Sequence, residues 1–204
     1  RQLAQRNIDI HTIAKSMMFT FSLGANFFME IAKLRALRVL WARIMEAFGA
    51  EEADRAVHVH GRTSAFTKTV YDPYVNLLRN TTQAFSGVVG GLNSLEVSPF
   101  DQPIRKADDF SRRIARNIQV MLQTEFELRQ PVDPVGGSWY VETLAAELCE
   151  KIWAEFQTIE SKGGIIAALK EGYPQAQVKA VLEERFKNLA FRKDVAVGNN
   201  MYAN

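Results

Sequence analysis

The apolar residues of this chain change their spacing in a regular order. Met17-Met18-Phe19-Thr20-Phe21-Ser22-Leu23 is a short apolar and aromatic run closed by Gly24, the pattern of a strand buried on both faces. Phe27, Ile31, Leu34, Leu37, Trp41, Ile44 and Phe48 then recur at steps of three and four, up to Gly49, which predicts one long helix with a single apolar stripe. The unit repeats. Ala56-Val57-His58-Val59-His60-Gly61 predicts a second strand, and Asp72-Pro73 predicts the next helix start, with Asp as N-cap and Pro in the first turn. Between them, Arg62 to Tyr71 is rich in Thr and Ser and long for a strand-to-helix connection, so it is a candidate functional loop. The second helix runs into Gly90-Gly91, Leu92 to Val97 predicts a third strand ending at Ser98-Pro99, and a third helix follows from about Asp108 to Leu128 with Ile114, Ile118, Met121 and Leu122 inward.

Strand-then-helix units in series predict parallel strands joined by right-handed helical crossovers. The fold class is therefore α/β. Three such units fit either a doubly wound sheet or part of a (β/α)8 barrel, and periodicity does not separate the two. The character changes across Arg129 to Gly137, where prolines and glycines exclude regular structure. Beyond it Val141, Leu144, Leu148, Ile152, Phe156 and Ile159 form one helical stripe that ends at Gly163-Gly164. Ile165 to Lys170 reads as a short helix, Val178, Leu182, Phe186 and Leu189 as a last stripe, and Val195 to Gly198 as a short terminal strand.

Composition narrows the setting. The chain has 204 residues, 47% hydrophobic and 24% charged, enough apolar mass for one sizeable core. No run approaches the roughly 18 uninterrupted apolar residues of a spanning helix, and Arg1-Gln2-Leu3-Ala4-Gln5 lacks the apolar region of a signal peptide. The expected setting is the cytoplasm or an organelle matrix, with no membrane partner. The chain does not begin with Met, as expected of a fragment or a processed form. A net charge of +2, from 25 basic and 23 acidic residues, gives little long-range attraction to nucleic acid, and none is expected as a partner. The local basic runs Arg35, Arg38, Arg43 and Arg105, Lys106, Arg112, Arg113, Arg116 read as solvated helix faces. Cys149, the single cysteine, has no internal disulfide partner and sits in a helical apolar pattern, so it reads as packing.

His58 and His60 are two apart on a predicted strand and point to the same face, a spacing compatible with metal ligation. His11 is the only other histidine and no Cys or carboxylate cluster accompanies the pair. No metal is expected, and the favoured reading is polar side chains lining the inside or mouth of a barrel. Residues at the carboxyl ends of barrel strands line the active site, which singles out His60 over His58. Gly87, Gly90 and Gly91 precede the third strand rather than joining a strand to a helix, the wrong order for a dinucleotide fingerprint. Close packing is the better reading of them. No Walker motif, Gly-x-Ser-x-Gly elbow or activated nucleophile is visible.

Five ordered stretches resemble the methylmalonyl-CoA mutase family: Leu23 to Ala36 (LGANFFMEIAKLRA), Asp72 to Arg79 (DPYVNLLR), Gly90 to Leu95 (GGLNSL), Ser111 to Gln119 (SRRIARNIQ) and Asp133 to Tyr140 (DPVGGSWY). The resemblance implies a (β/α)8 barrel that threads an acyl-CoA along its axis, followed by a linker and, in catalytic chains, a cobalamin domain. On this basis residues 1–130 are the last three β-α units of the barrel and residues 131–204 the helical linker. The implied chemistry is a carbon-skeleton rearrangement begun by an adenosyl radical from adenosylcobalamin, inside a barrel that shields the radical from solvent.

The polar positions depart from that pattern. Where catalytic members carry an Arg-x-Ser pair on the first strand, facing CoA, this chain has Ser16 and Met18. Their His-Cys-Gln-Thr-Ser-Gly becomes His60-Gly61-Arg62-Thr63-Ser64-Ala65, so that Arg62 replaces an amide, Ala65 replaces a glycine, and His60 is kept. Their Gln-Ser-Leu-His-Thr-Asn-Ser-Phe-Asp-Glu becomes Asn93 to Gln102, with Ser98 and Gln102 where an Asn and a Glu face the adenosyl group. A guanidinium in a narrow channel obstructs it or needs a partner. Scaffold kept and site rewritten is the pattern of the family's small, non-catalytic subunit, which pairs with a catalytic large subunit that holds the adenosylcobalamin. The competing reading is an active mutase of altered specificity. Three barrel units alone leave strand edges and helix faces uncovered, so self-association is expected.

Overall fold

The computed structural model describes residues 2–203. Two short helices, α1 (Gln2–Gln5) and α2 (Ile10–Ser16), precede the first strand. The Asp9 side chain caps α2 by accepting from the backbone N–H groups of His11 and Thr12, which satisfies donors a helix start otherwise leaves free. Then come β1 (Met18–Leu23), α3 (Phe27–Ala47), a 3-10 turn (Glu52–Asp54), β2 (His58–Thr63), α4 (Val75–Val89), β3 (Ser94–Glu96) and α5 (Asp109–Thr124). The strands form one parallel sheet in the order β1-β2-β3. Its register pairs Met18 with His58, Thr20 with His60 and Ser22 with Arg62, then His60 with Ser94 and Arg62 with Glu96.

Strand alternation sorts the side chains onto two unlike faces. Phe19, Phe21, Leu23, Val59 and Leu95 lie on the face that α3 covers with Leu34, Trp41 and Met45. Beyond β3 the same layer continues through Val97, Ala84 of α4, and Ala115, Ile118 and Leu122 of α5. The glycines allow the close approach. A Cβ on Gly61 or Gly87 would come within 2.2 Å and 2.6 Å of Leu92, and one on Gly90 within 2.7 Å of Leu34. Close packing is what Gly87 and Gly90 serve, whereas Gly91, at φ +79°, serves the turn before β3. Met18, Thr20, Ser22, His58, His60, Arg62, Ser94 and Glu96 form the other face, and no helix lies on it among the described residues.

The C-terminal part is helical: α6 (Trp139–Ser161), α7 (Ile165–Lys170) and α8 (Tyr173–Ala190). α6 docks on α3. Arg35 of α3 donates to Asp133 at 2.6 Å and to Glu142, and Phe28 meets Tyr140 edge to face with centroids 5.3 Å apart. Arg38 donates to the carbonyls of Gly90 and Gly91. Arg35 and Arg38 are thus not a solvated face but clamps whose partners lie far away in sequence. Cys149 packs against the Ala36 carbonyl, with its sulfur 3.8 Å away, and burial raises its thiol pKa, which disfavours the reactive thiolate. No helix among the described residues is long and apolar enough to cross a membrane.

Several expected boundaries move. β2 begins two residues later than Ala56 because Val57 packs into the core before pairing starts. The third strand shortens to three residues, Ser94–Glu96, since Asn93 meets Val59 through its backbone and side-chain amide instead. Asp72 is not an N-cap. It takes φ +46°, and two tight turns, Val75 N–H to Asp72 O and Asn76 N–H to Pro73 O, delay the helix to Val75. α5 stops at Thr124 as Glu127 turns to φ +51°. The expected terminal strand is only a single bridge between Val197 and Met201. The last stripe finds little to pack on, for α8 has no buried residue.

Candidate functional site

The open face of the sheet and the carboxyl ends of its strands carry most of the chain's concentrated polar chemistry. On the open face His60 and His58 converge on one hydroxyl: Ser94 Oγ lies 2.8 Å from His60 Nδ1 and 3.4 Å from His58 Nε2. One turn of pleat further along, Arg62 Nε sits 3.1 Å from Glu96 Oε1, both side chains half-exposed. The register dictates both contacts, since His60 pairs with Ser94 and Arg62 with Glu96. The Arg62 guanidinium thus has a carboxylate partner on the next strand.

At the carboxyl ends a second cluster is buried beneath the loop between β2 and α4. Ser98 is 1% exposed. Its Oγ lies 2.8 Å from Thr63 Oγ1 and its N–H donates to the same oxygen at 3.0 Å. Lys68, 8% exposed, donates to Ser98 Oγ at 2.5 Å and to the Ser64 carbonyl at 3.1 Å. From α4, Asn80 donates to Ser98 O, Gln83 accepts from Ser64 N–H, and Asn76 ties Thr69 to Phe100. No carboxylate reaches ion-pair distance of Lys68 among the described residues. Burial first, and then the Arg62 charge, lower its ammonium pKa to about 8, with Glu96 only partly opposing them.

The expected site residues do not form one pocket. His60, Arg62 and Ser94 share the open face, while Ser98 is turned inward to Thr63 and Lys68. Ser16 and Met18 lie exposed at the far, amino end of β1. Asn93 is spent on the Val59 N–H at 2.9 Å. Ala65 and Gln102 are exposed. The loop is also covered from the C-terminal side: Arg185 sits 4.2 Å over the Phe66 ring and Phe186 packs 6.2 Å from it. Arg79 reaches the Val197 carbonyl. Lys68 escaped the sequence reading, although it lies inside the loop singled out there. Its position just past a strand was the available signal.

The sequence profile described as Methylmalonyl-CoA mutase matches residues 1–204. The chain belongs to the methylmalonyl-CoA mutase family. It is 40% identical over 194 residues to a methylmalonyl-CoA mutase small subunit of Porphyromonas gingivalis, covering 94% of this chain and 31% of that one. It is 39% identical over 203 residues to a methylmalonyl-CoA mutase of Rhizobium meliloti, covering 99% of this chain and 28% of the relative. The large subunit of P. gingivalis is 36% identical over 196 residues, covering 96% of this chain and 27% of that subunit. The chain thus spans less than a third of the length of these relatives. Relatives named small subunit, large subunit and simply mutase are almost equally similar, so overall identity does not separate them. The polar positions must do so.

In mutase terms, the segments that match the family are the ones holding the fold. Asn26 caps α3, Gly90 admits Leu34, Ser111 donates its N–H to the capping carboxylate of Asp108, and Asp133 holds Arg35. Two of the residues expected at the adenosyl group part company. Ser98 has its hydroxyl committed to Thr63 and Lys68, and Gln102 stands exposed.

Proposed function

We propose that this chain is part of a (β/α)8 barrel in the small, non-catalytic subunit of a methylmalonyl-CoA mutase, with residues 1–130 supplying three β-α units and residues 131–204 the linker. A barrel accounts for helices that cover one sheet face while the other, polar face is left for the barrel interior. In this reading a large subunit binds adenosylcobalamin and isomerises the acyl-CoA, and this subunit stabilises it.

The observation that carries the reading is the Arg62–Glu96 ion pair across the open face. A channel that accepts acyl-CoA needs its polar groups aimed at ligand, whereas here Arg62 and Glu96 face each other. Burial of Ser98 beneath Lys68 removes a second contact. One feature favours the alternative, an active mutase of altered specificity: His60 is retained on the open face, tied only to Ser94.

The test is to express the full-length chain alone and together with the large subunit, and to assay adenosylcobalamin-dependent isomerisation and co-elution. Co-elution with turnover only in the pair supports the proposal, and turnover by this subunit alone overturns it. The residues described leave the β1 and β3 edges unpaired, so the 204-residue chain in isolation should self-associate. Sizing chromatography showing a compact monomer would contradict that.

A further inference from the structure

In sequence, His58 and His60 lack a third donor, and two imidazoles alone are a weak metal signal. Folding supplies that donor. The register sets Ser94 of β3 opposite His60, and its Oγ lies 2.8 Å from His60 Nδ1 and 3.4 Å from His58 Nε2. Donors about 2.0–2.1 Å from a zinc ion at tetrahedral angles stand about 3.3 Å from one another. The two separations are therefore close to the edges of a metal's coordination shell. His58 is exposed and His60 half-buried, so an ion reaches both rings from the open face. The nearest charge along β2, Arg62, is offset by Glu96.

From this geometry we infer that His58, His60 and Ser94 form a binding site for a divalent transition-metal cation of the zinc class, which ties β2 to β3 on the open face. The imidazoles carry the affinity, since they suit Zn2+, Ni2+ and Cu2+, whereas Mg2+ and Ca2+ seek sets of oxygen donors. The Ser94 hydroxyl, a neutral oxygen, is the weakest of the three donors and serves to place the ion. The fourth tetrahedral position is left to water or to a donor atom of a small ligand. No group of three His, Cys, Asp or Glu side chains gathers around a common point among the described residues. The site is therefore an exchangeable one and not a closed structural centre, which takes four such ligands.

The experiment titrates Zn2+ into the full chain by calorimetry, with Mg2+ in a parallel run. Saturable binding of Zn2+ and none of Mg2+ is expected. His58→Ala and His60→Ala should each weaken it by about tenfold or more, since losing a ligand costs at least as much as losing a group that orients one. Ser94→Ala should weaken it by less. His11→Ala, which removes the histidine paired with Asp54, should leave it unchanged. Denaturant unfolding keeps the test independent of folding defects: saturating Zn2+ should raise the midpoint of the native chain and leave that of the doubly substituted His58→Ala, His60→Ala chain where it is. Absence of Zn2+ binding overturns the site. So does binding that survives either His58→Ala or His60→Ala, that is lost with His11→Ala, or that Mg2+ matches.

Discussion

The two faces of the three-stranded sheet are held together in different ways. On the covered face Phe19, Phe21, Leu23 and Val59 meet the apolar stripe of α3, with glycines placed where no side chain fits. On the open face the same strands carry His58, His60, Arg62, Ser94 and Glu96, and the groups that bond do so with one another. The covered face carries the packing of Leu23, Leu34 and Gly90, and the open face the pairing of Arg62 with Glu96. Packing tolerates little change because a core is close-packed. A half-exposed polar face can be rewritten in pairs at little cost to folding, provided each new charge meets a partner.

Neighbouring residues of β1 sharpen this contrast most. Leu23→Ala, at a fully buried position, should cost about 3 kcal/mol in denaturant unfolding. Thr20→Ala on the open face should stay within about 0.5 kcal/mol. Equal costs would break the distinction between the faces.

Lys68 gives the next largest effect. Its pKa falls from 10.5 in the unfolded chain to about 8 in the folded one, so the unfolded chain binds the proton more tightly. The stabilising share of the neutral form is complete above pH 10.5 and is lost as pH falls to about 8. Relative to Lys68→Met, the protein should therefore gain up to about 3 kcal/mol between those two limits. A flat difference in stability across that window would contradict the burial of this charge. The Arg62–Glu96 pair should give the smallest effect. A double-mutant cycle of Arg62→Gln and Glu96→Gln should return a coupling of about 0.2–1 kcal/mol, as half-exposed pairs do. A coupling near zero would mean that the pair does not hold the open face closed.

Much of the covered face was legible in the sequence, because a period of two or of three to four depends only on near neighbours. The strand-helix order, α7 and the packing role of the glycines all followed from it. The open face was legible only as residue types. That Arg62 meets Glu96 depends on strand register, which the strand predicted over 56–61 missed by two residues. Arg35 and Arg38 looked solvated because their partners, Asp133, Glu142, Gly90 and Gly91, lie far along the chain. Lys68 was passed over because its partner Ser98 lies 30 residues along the chain. Asp72-Pro73 had the composition of a helix cap, yet the left-handed backbone at Asp72 belongs to a turn, which Asp also tolerates.

The most direct measurement concerns His60, which the family resemblance marks as a contact position on the open face. In the reconstituted pair of full-length subunits, His60→Ala in this subunit should leave kcat for acyl-CoA isomerisation within about twofold, since its imidazole serves only Ser94. A loss of about 100-fold or more, the scale of a missing group in the reaction, would place this face in catalysis and contradict its proposed retirement.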